Sequence, residues 1–170
     1  MITISATLGN IFHDNEWIEK FNKATQNNNF ETLKLSRTDL SKNRLRAITN
    51  KGTDVGIVLK SDSKIQNGDV LLSDKEKFIF IQQNPEKVIS VTKKQKTEAN
   101  FDDTLVLIGH ILGNHHRPIE IKNEKIFFPI LSESELEIFK QLFSNIIDKI
   151  ELQIEERIFE PHGELKTHEH

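Results

Sequence analysis

Not one of the 170 residues is a cysteine. Disulfides, thiolate nucleophiles and thiolate metal sites are thereby excluded. Apart from a thioether at Met1, any metal must be held by imidazole, carboxylate or carbonyl oxygen. Apolar runs long enough to cross a bilayer are also missing, with hydrophobic residues at 36% and charged residues at 29%, so no membrane partner is expected. The opening MITISATLGNIF has no basic segment followed by an apolar stretch and a small-residue cleavage site, which predicts no secretory signal and a cytoplasmic location. Positive charge is not in excess either. A formal net charge of -3 argues against a nucleic-acid partner. The GxSxG, P-loop, HExxH and GxGxxG patterns do not occur, which leaves nucleophilic hydrolysis and nucleotide chemistry without their usual scaffolds.

What is present reads as an α+β chain in two parts. In SKNRLRAITN, Leu45 and Ala47 alternate with Arg44 and Arg46, and after a Lys51-Gly52 turn DVGIVLK places Val55, Ile57 and Leu59 on one face, the pattern of a hairpin. A turn at Asn67-Gly68-Asp69, then VLL and KFIFIQQ, extend it to a small antiparallel sheet over residues 41–82. Upstream, WIEKFNKA predicts one or two helical turns from Trp17 to Ala24, followed by an Asn-rich loop. Asn84-Pro85 breaks the β texture, so residues 1–84 are expected to form an N-terminal β-rich domain.

Beyond it, EKVISVT predicts a strand, and DDTLVLIGHILG a helix with Leu105, Ile108 and Leu112 on its apolar stripe. Asp102 or Asp103 would cap that helix, and Gly113 would end it in the left-handed conformation. PIEI and KIFFPI flank Lys122-Asn123-Glu124-Lys125 as a hairpin. SESELEIFKQLFSNIIDKI opens with Ser132 and Glu135 in capping-box spacing and predicts a long amphipathic helix, and IELQIEERIFE predicts a half-buried strand. The order βαββαβ over residues 85–159 is that of a ferredoxin-like domain. EPHGELKTHEH carries no apolar periodicity and predicts a flexible tail over residues 160–170.

Three of the seven histidines lie in that tail: His162, His168 and His170. His115 and His116 follow the helix, where unpaired carbonyls favour a cation. They read either as exposed imidazoles that relieve a helix end or as metal ligands, and one chain offers too few ligands for a site unless a two-fold axis doubles them. His110 reads as a helix-surface residue, His13 stands alone, and His162 beside Pro161 is a weak candidate ligand. Arg44 and Arg46 suit an acidic partner or guard a strand edge.

GNHH, with Gly113, Asn114 and His116 between an apolar helix and a PIEI strand, resembles the Gly-Asn-Arg-His segment of the urease accessory protein E family of nickel metallochaperones. SKNRLRAITNKGTDVGIVL followed by Gly-Asp-Val-Leu at Gly68 to Leu71 is similar to that family's first domain, and FEPHG followed by HEH is similar to its exit into a histidine-bearing tail. The resemblance implies a homodimer that binds a nickel ion through His116 of both subunits, with His168 and His170 as tail ligands and zinc or copper as competing ions. It implies docking through the first domain and delivery to the urease apoprotein complex and its GTPase accessory protein, without enzymatic activity. His115 stands where the family usually has arginine. The alternative reading is a metal-free protein adaptor. A metal-dependent hydrolase would need a carboxylate base beside the histidines, and none is identified.

Overall fold

A computed structural model describes residues 1–94 and 103–162, and the chain divides between Asn84 and Pro85 into two compact units. The predicted cap Asp102 and the tail ligands His168 and His170 lie outside the described residues.

The first unit contains β1 (Ile2–Ile4), β2 (Gly9–Asn10), α1 (Asn15–Gln26), β3 (Phe30–Leu35), α2 (Arg37–Leu40), β4 (Arg44–Ile48), β5 (Asp54–Val58), β6 (Asp69–Ser73) and β7 (Phe78–Gln83). The β4–β5 hairpin forms as its alternation predicts, in the register Arg44 to Val58 through Ile48 to Asp54, and Gly52 takes φ +87° in its turn. Arg46 grips Asp54 in a two-pronged contact of 3.0 Å on each prong, with the arginine largely open to water and the aspartate half-buried. Such a pair orders a surface more than it stabilises a fold.

A single antiparallel sheet is not what forms. The strands divide into two sheets of order β1-β5-β4 and β2-β6-β7-β3. Each contains a parallel pair, β1 with β5 and β3 with β7. The first 40 residues supply three of these strands, because the β5 and β7 edges would otherwise leave their N–H and C=O groups unpaired. Ile4, Leu33, Leu35, Val55, Ile57, Ile79 and Ile81 belong to one buried core. The helix α1 runs three turns rather than one or two, because Trp17, Phe21 and Ala24 cover a second cluster of Ile11, Val70, Phe78 and Phe80.

The Gly-Asp pair that opens β6 has a steric reason. Gly68 sits at φ +87°, and a Cβ there would lie 2.4 Å from the Phe12 ring. The buried Asp69 accepts from Asn10 Nδ2 and from the Gln66 N–H at 2.9 and 2.8 Å. Burial nevertheless raises its pKa above the ordinary carboxylate value, against those two hydrogen bonds.

The second unit contains β8 (Glu86–Lys93), α3 (Asp103–Asn114), β9 (Glu120–Lys122), β10 (Lys125–Pro129), α4 (Glu135–Leu142) and β11 (Ile150–Arg157). Its sheet is antiparallel throughout, in the order β11-β8-β10-β9. Asn123 and Glu124 both have positive φ, 53° and 61°, the backbone of a two-residue hairpin whose turn matches strand twist. Ile108, Leu112, Phe139 and Phe143 pack with Ile89, Val91 and Phe128 on one side of the sheet, and Val88, Phe127 and Phe159 form a smaller cluster.

Three predicted details differ. α4 stops at Leu142, after which Phe143, Ile146 and Lys149 follow through turns closed by i to i+3 bonds, and Phe143 and Ile146 still reach the core. Only half of the capping box forms. Glu135 accepts from the N–H groups of Leu131 and Ser132, while the Ser132 hydroxyl pairs with that of Ser134. Finally, Thr104 takes the buried place on α3 predicted for Leu105. Among the described residues no helix is long and apolar enough to cross a membrane.

Candidate metal centre

The helix α3 does not end on Gly113. It continues to Asn114, and the left-handed residue is His116, at φ +50°. The His116 N–H bonds the Gly113 carbonyl and the Arg117 N–H bonds the Leu112 carbonyl, each at 3.0 Å. These are the paired bonds of a Schellman cap with His116 at the position usually given to glycine. A side chain in this conformation costs about 1 kcal/mol, so the cap holds the exposed His116 imidazole at a fixed point against a local backbone preference. His116→Gly should therefore unfold at a higher temperature than His116→Ala, by the equivalent of about 1 kcal/mol, measured by calorimetry.

Arg117 explains why the cap falls there. Its guanidinium lies over the Phe139 ring at 5.4 Å, donates to the Pro129 carbonyl at 3.2 Å and pairs with Glu135. Burial alone would discourage ionisation of Glu135, but the Leu131 N–H, the Arg117 charge and the Ser132 N–H outweigh it and hold the carboxyl below its usual pKa. Sequence reasoning missed this pair. Its only trace was Glu135 at a capping position, for which a second partner could not be foreseen.

His115, next to His116, sets its ring at 68° to Phe139, 6.1 Å away. It packs edge-on against a core aromatic while remaining exposed. His110 Nε2 lies 3.0 Å from Asn114 Nδ2 on the same helix, which suits the helix-surface reading. His13 belongs to the other unit. Among the described residues no three His, Asp or Glu side chains converge as a metal cage.

The outward side of α3 leads to His116. Leu105, Val106 and Leu107 are 47%, 53% and 43% exposed, and a Cβ added at Gly109 or Gly113 would meet nothing. Leu105, Gly109 and Gly113 succeed one another at i+4 spacing, so apolar side chains and bare backbone share one face.

The segment after Phe159, predicted to be mobile from residue 160, is tied down through His162. Phe159 is fully buried, the Glu160 N–H donates to Glu120 at 3.2 Å, and the His162 N–H donates to the Ile119 carbonyl at 2.7 Å.

Residues 4–82 match the family profile described as UreE urease accessory protein, N-terminal domain. Over 140 residues the chain is 30% identical to the urease accessory protein UreE of Streptococcus vestibularis, an alignment that covers 82% of this chain and 87% of that protein. The chain belongs to the UreE urease accessory protein family. It is 31% identical over 135 residues to the protein of that name from Yersinia enterocolitica, and 34% identical over 139 residues to that from Edwardsiella ictaluri, covering 76% of this chain in each case. The chain spans only 57% and 58% of the length of those two relatives. UreE proteins carry the name of accessory proteins to an enzyme and are not themselves enzymes. The UreE profile ends before β8, so membership rests on the first unit and on the longer alignments, while His116 lies beyond the profile.

Proposed function

We propose that this chain carries nickel for urease maturation, and that two copies pair along the outward face of α3 so that His116 of each meets at a two-fold axis. The single observation behind this reading is an exposed imidazole held in a left-handed cap at the end of an apolar helix face that lacks a partner within the described chain. Two-fold pairing turns one ligand per chain into two, and His168 and His170 complete or feed the site. The second unit, with its order β11-β8-β10-β9, is then a ferredoxin-like metal-binding domain, and the first is a protein-docking domain. Urease apoprotein and a GTPase accessory protein are the proposed recipients, in the cytoplasm.

Nitrogen and oxygen donors bind copper more tightly than nickel and zinc comparably, so selectivity comes from supply and partners rather than from affinity. An open, shared site also allows ligands to leave one at a time, as delivery requires.

Equilibrium dialysis against nickel tests the reading. The wild-type chain should take up one ion per dimer, and His116→Ala should lose that uptake. His116→Gly should lose it equally while keeping its cap, which separates ligation from folding. No uptake by the wild type would favour a metal-free adaptor.

A further inference from the structure

We propose that β4 is a docking strand, whose open edge takes an extended acidic segment of a partner protein as an added strand. The assignment rests on the reading of the first unit as a protein-docking domain and gives that domain a place and a chemistry of recognition.

Backbone parity exposes the edge. The Leu59 N–H bonds the Asn43 carbonyl at 2.8 Å, and the Thr49 N–H bonds the Thr53 carbonyl at 2.9 Å. Between them the register pairs Leu45 with Ile57 and Ala47 with Val55, so these odd-numbered residues turn their N–H and C=O groups to β5. Arg44, Arg46 and Ile48 turn theirs outward, and among the described residues β5 is the one strand beside β4. At the β3 edge of the other sheet such groups are covered. There Asn50 accepts from the Thr32 N–H at 2.8 Å and donates to the Thr32 carbonyl at 3.0 Å. Those two bonds, with the Thr49 hydroxyl donating to the buried Glu31, also fasten the end of β4 to β3. An incoming strand therefore meets an edge that needs little further ordering.

The usual guards of an edge are missing from β4. Its five pairs contain no proline and no bulge. Arg46 does not cover the edge either, since it reaches back over β5 to Asp54, beside Gly56, which has no side chain to block it. Arg44 is exposed and forms no ion pair with a described residue, and Ile48 is 67% exposed. The solvent face of the strand thus offers a free cation at one end and an apolar side chain at the other. A carboxylate beside Arg44 and an aliphatic side chain beside Ile48 complement it. In strand addition the backbone bonds supply affinity and the alternate side chains supply selectivity. A second copy fits poorly, because antiparallel β4 strands paired about their centres would set Arg46 against Arg46.

The metal-free full-length chain, isotope-labelled for amide spectra, provides the test. The probe is a blocked hexapeptide of alternating glutamate and valine at millimolar concentration. It should shift the Arg44, Arg46 and Ile48 amides and slow their exchange with solvent, while the β11 amides stay in place. A peptide with lysine for glutamate should bind at least about tenfold more weakly, and Arg44→Glu should erase that preference. Ile48→Pro removes an outward N–H without touching the β5 ladder. It should weaken binding of the acidic peptide by about fivefold or more, with unchanged protection of the Val55 and Ile57 amides as the control for folding. The docking strand is overturned by β4 amides that ignore the acidic peptide, by equal binding of the lysine peptide, or by undiminished binding to Ile48→Pro. Shifts of the β4 amides on concentrating the chain alone would overturn it in favour of a second copy. Acidic peptide bound elsewhere on the first unit would remove β4 from the account and leave the docking domain standing.

Discussion

Phe139→Ala should lower the stability of the second unit by about 3 to 5 kcal/mol, the usual cost of emptying a large aromatic site in a packed core. Phe139 is 2% exposed, its centroid is 4.5 Å from that of Phe128, and Phe143 lies 6.1 Å away. Its core neighbours are themselves rings and buried aliphatic side chains of α3 and the sheet, which close only part of the gap. The loss should appear in urea titrations followed through amide signals of β8 and β10, because the sole tryptophan, Trp17, lies in the other unit. A cost under about 1 kcal/mol would mean that the core repacks freely. The same ring supports His115 and Arg117 on either side of His116. On the proposed function, nickel uptake should therefore weaken in this variant even at temperatures where it remains folded.

Glu135→Gln should cost about 2 kcal/mol at neutral pH, the usual weight of a charge-assisted contact at a side chain only 12% exposed. The substitution keeps the shape and removes the charge that balances Arg117. The pH dependence follows from the direction of the shift. A carboxyl whose folded pKa lies below its unfolded one stabilises the fold above the ordinary carboxylate range, and that contribution disappears as pH falls through the depressed value. Wild type and Glu135→Gln should thus differ most near pH 7 and converge in strong acid, where the wild-type side chain is also neutral. Thermal midpoints measured across that range decide it, and a gap that stays constant into acid would place the effect in packing instead of charge.

Local pattern predicted what local contacts determine. The alternation from Arg44 to Leu59 with Gly52 between yields the β4–β5 hairpin, and Asn123-Glu124 yields the β9–β10 turn. In both cases the residues that make the signal are the residues that make the bonds. Parallel pairing was not legible, because Ile2 meets Val55 and Phe30 meets Phe78 across long stretches of chain, and an isolated short strand carries no mark of its partner. The misplaced end of α3 has a similar origin. Gly113 is the better local terminator, yet the anchoring of Arg117 by Phe139, Pro129 and Glu135 draws the cap three residues further on. Within the candidate site, the position after the helix left His115 and His116 equally open and only the family resemblance singled out His116, whereas the contact of His162 joins it to the N–H of Ile121, 41 residues away in sequence.

The parallel pairing also bears on how this chain emerges from a ribosome. With β1 waiting for β5 and β3 for β7, the opening residues are synthesised long before their partners exist. Contacts so distant in sequence slow folding and prolong the exposure of apolar segments. Nascent FETLKL, with Leu33 and Leu35 bound for the core, would be the segment most in need of protection until Gln83 has left the exit tunnel.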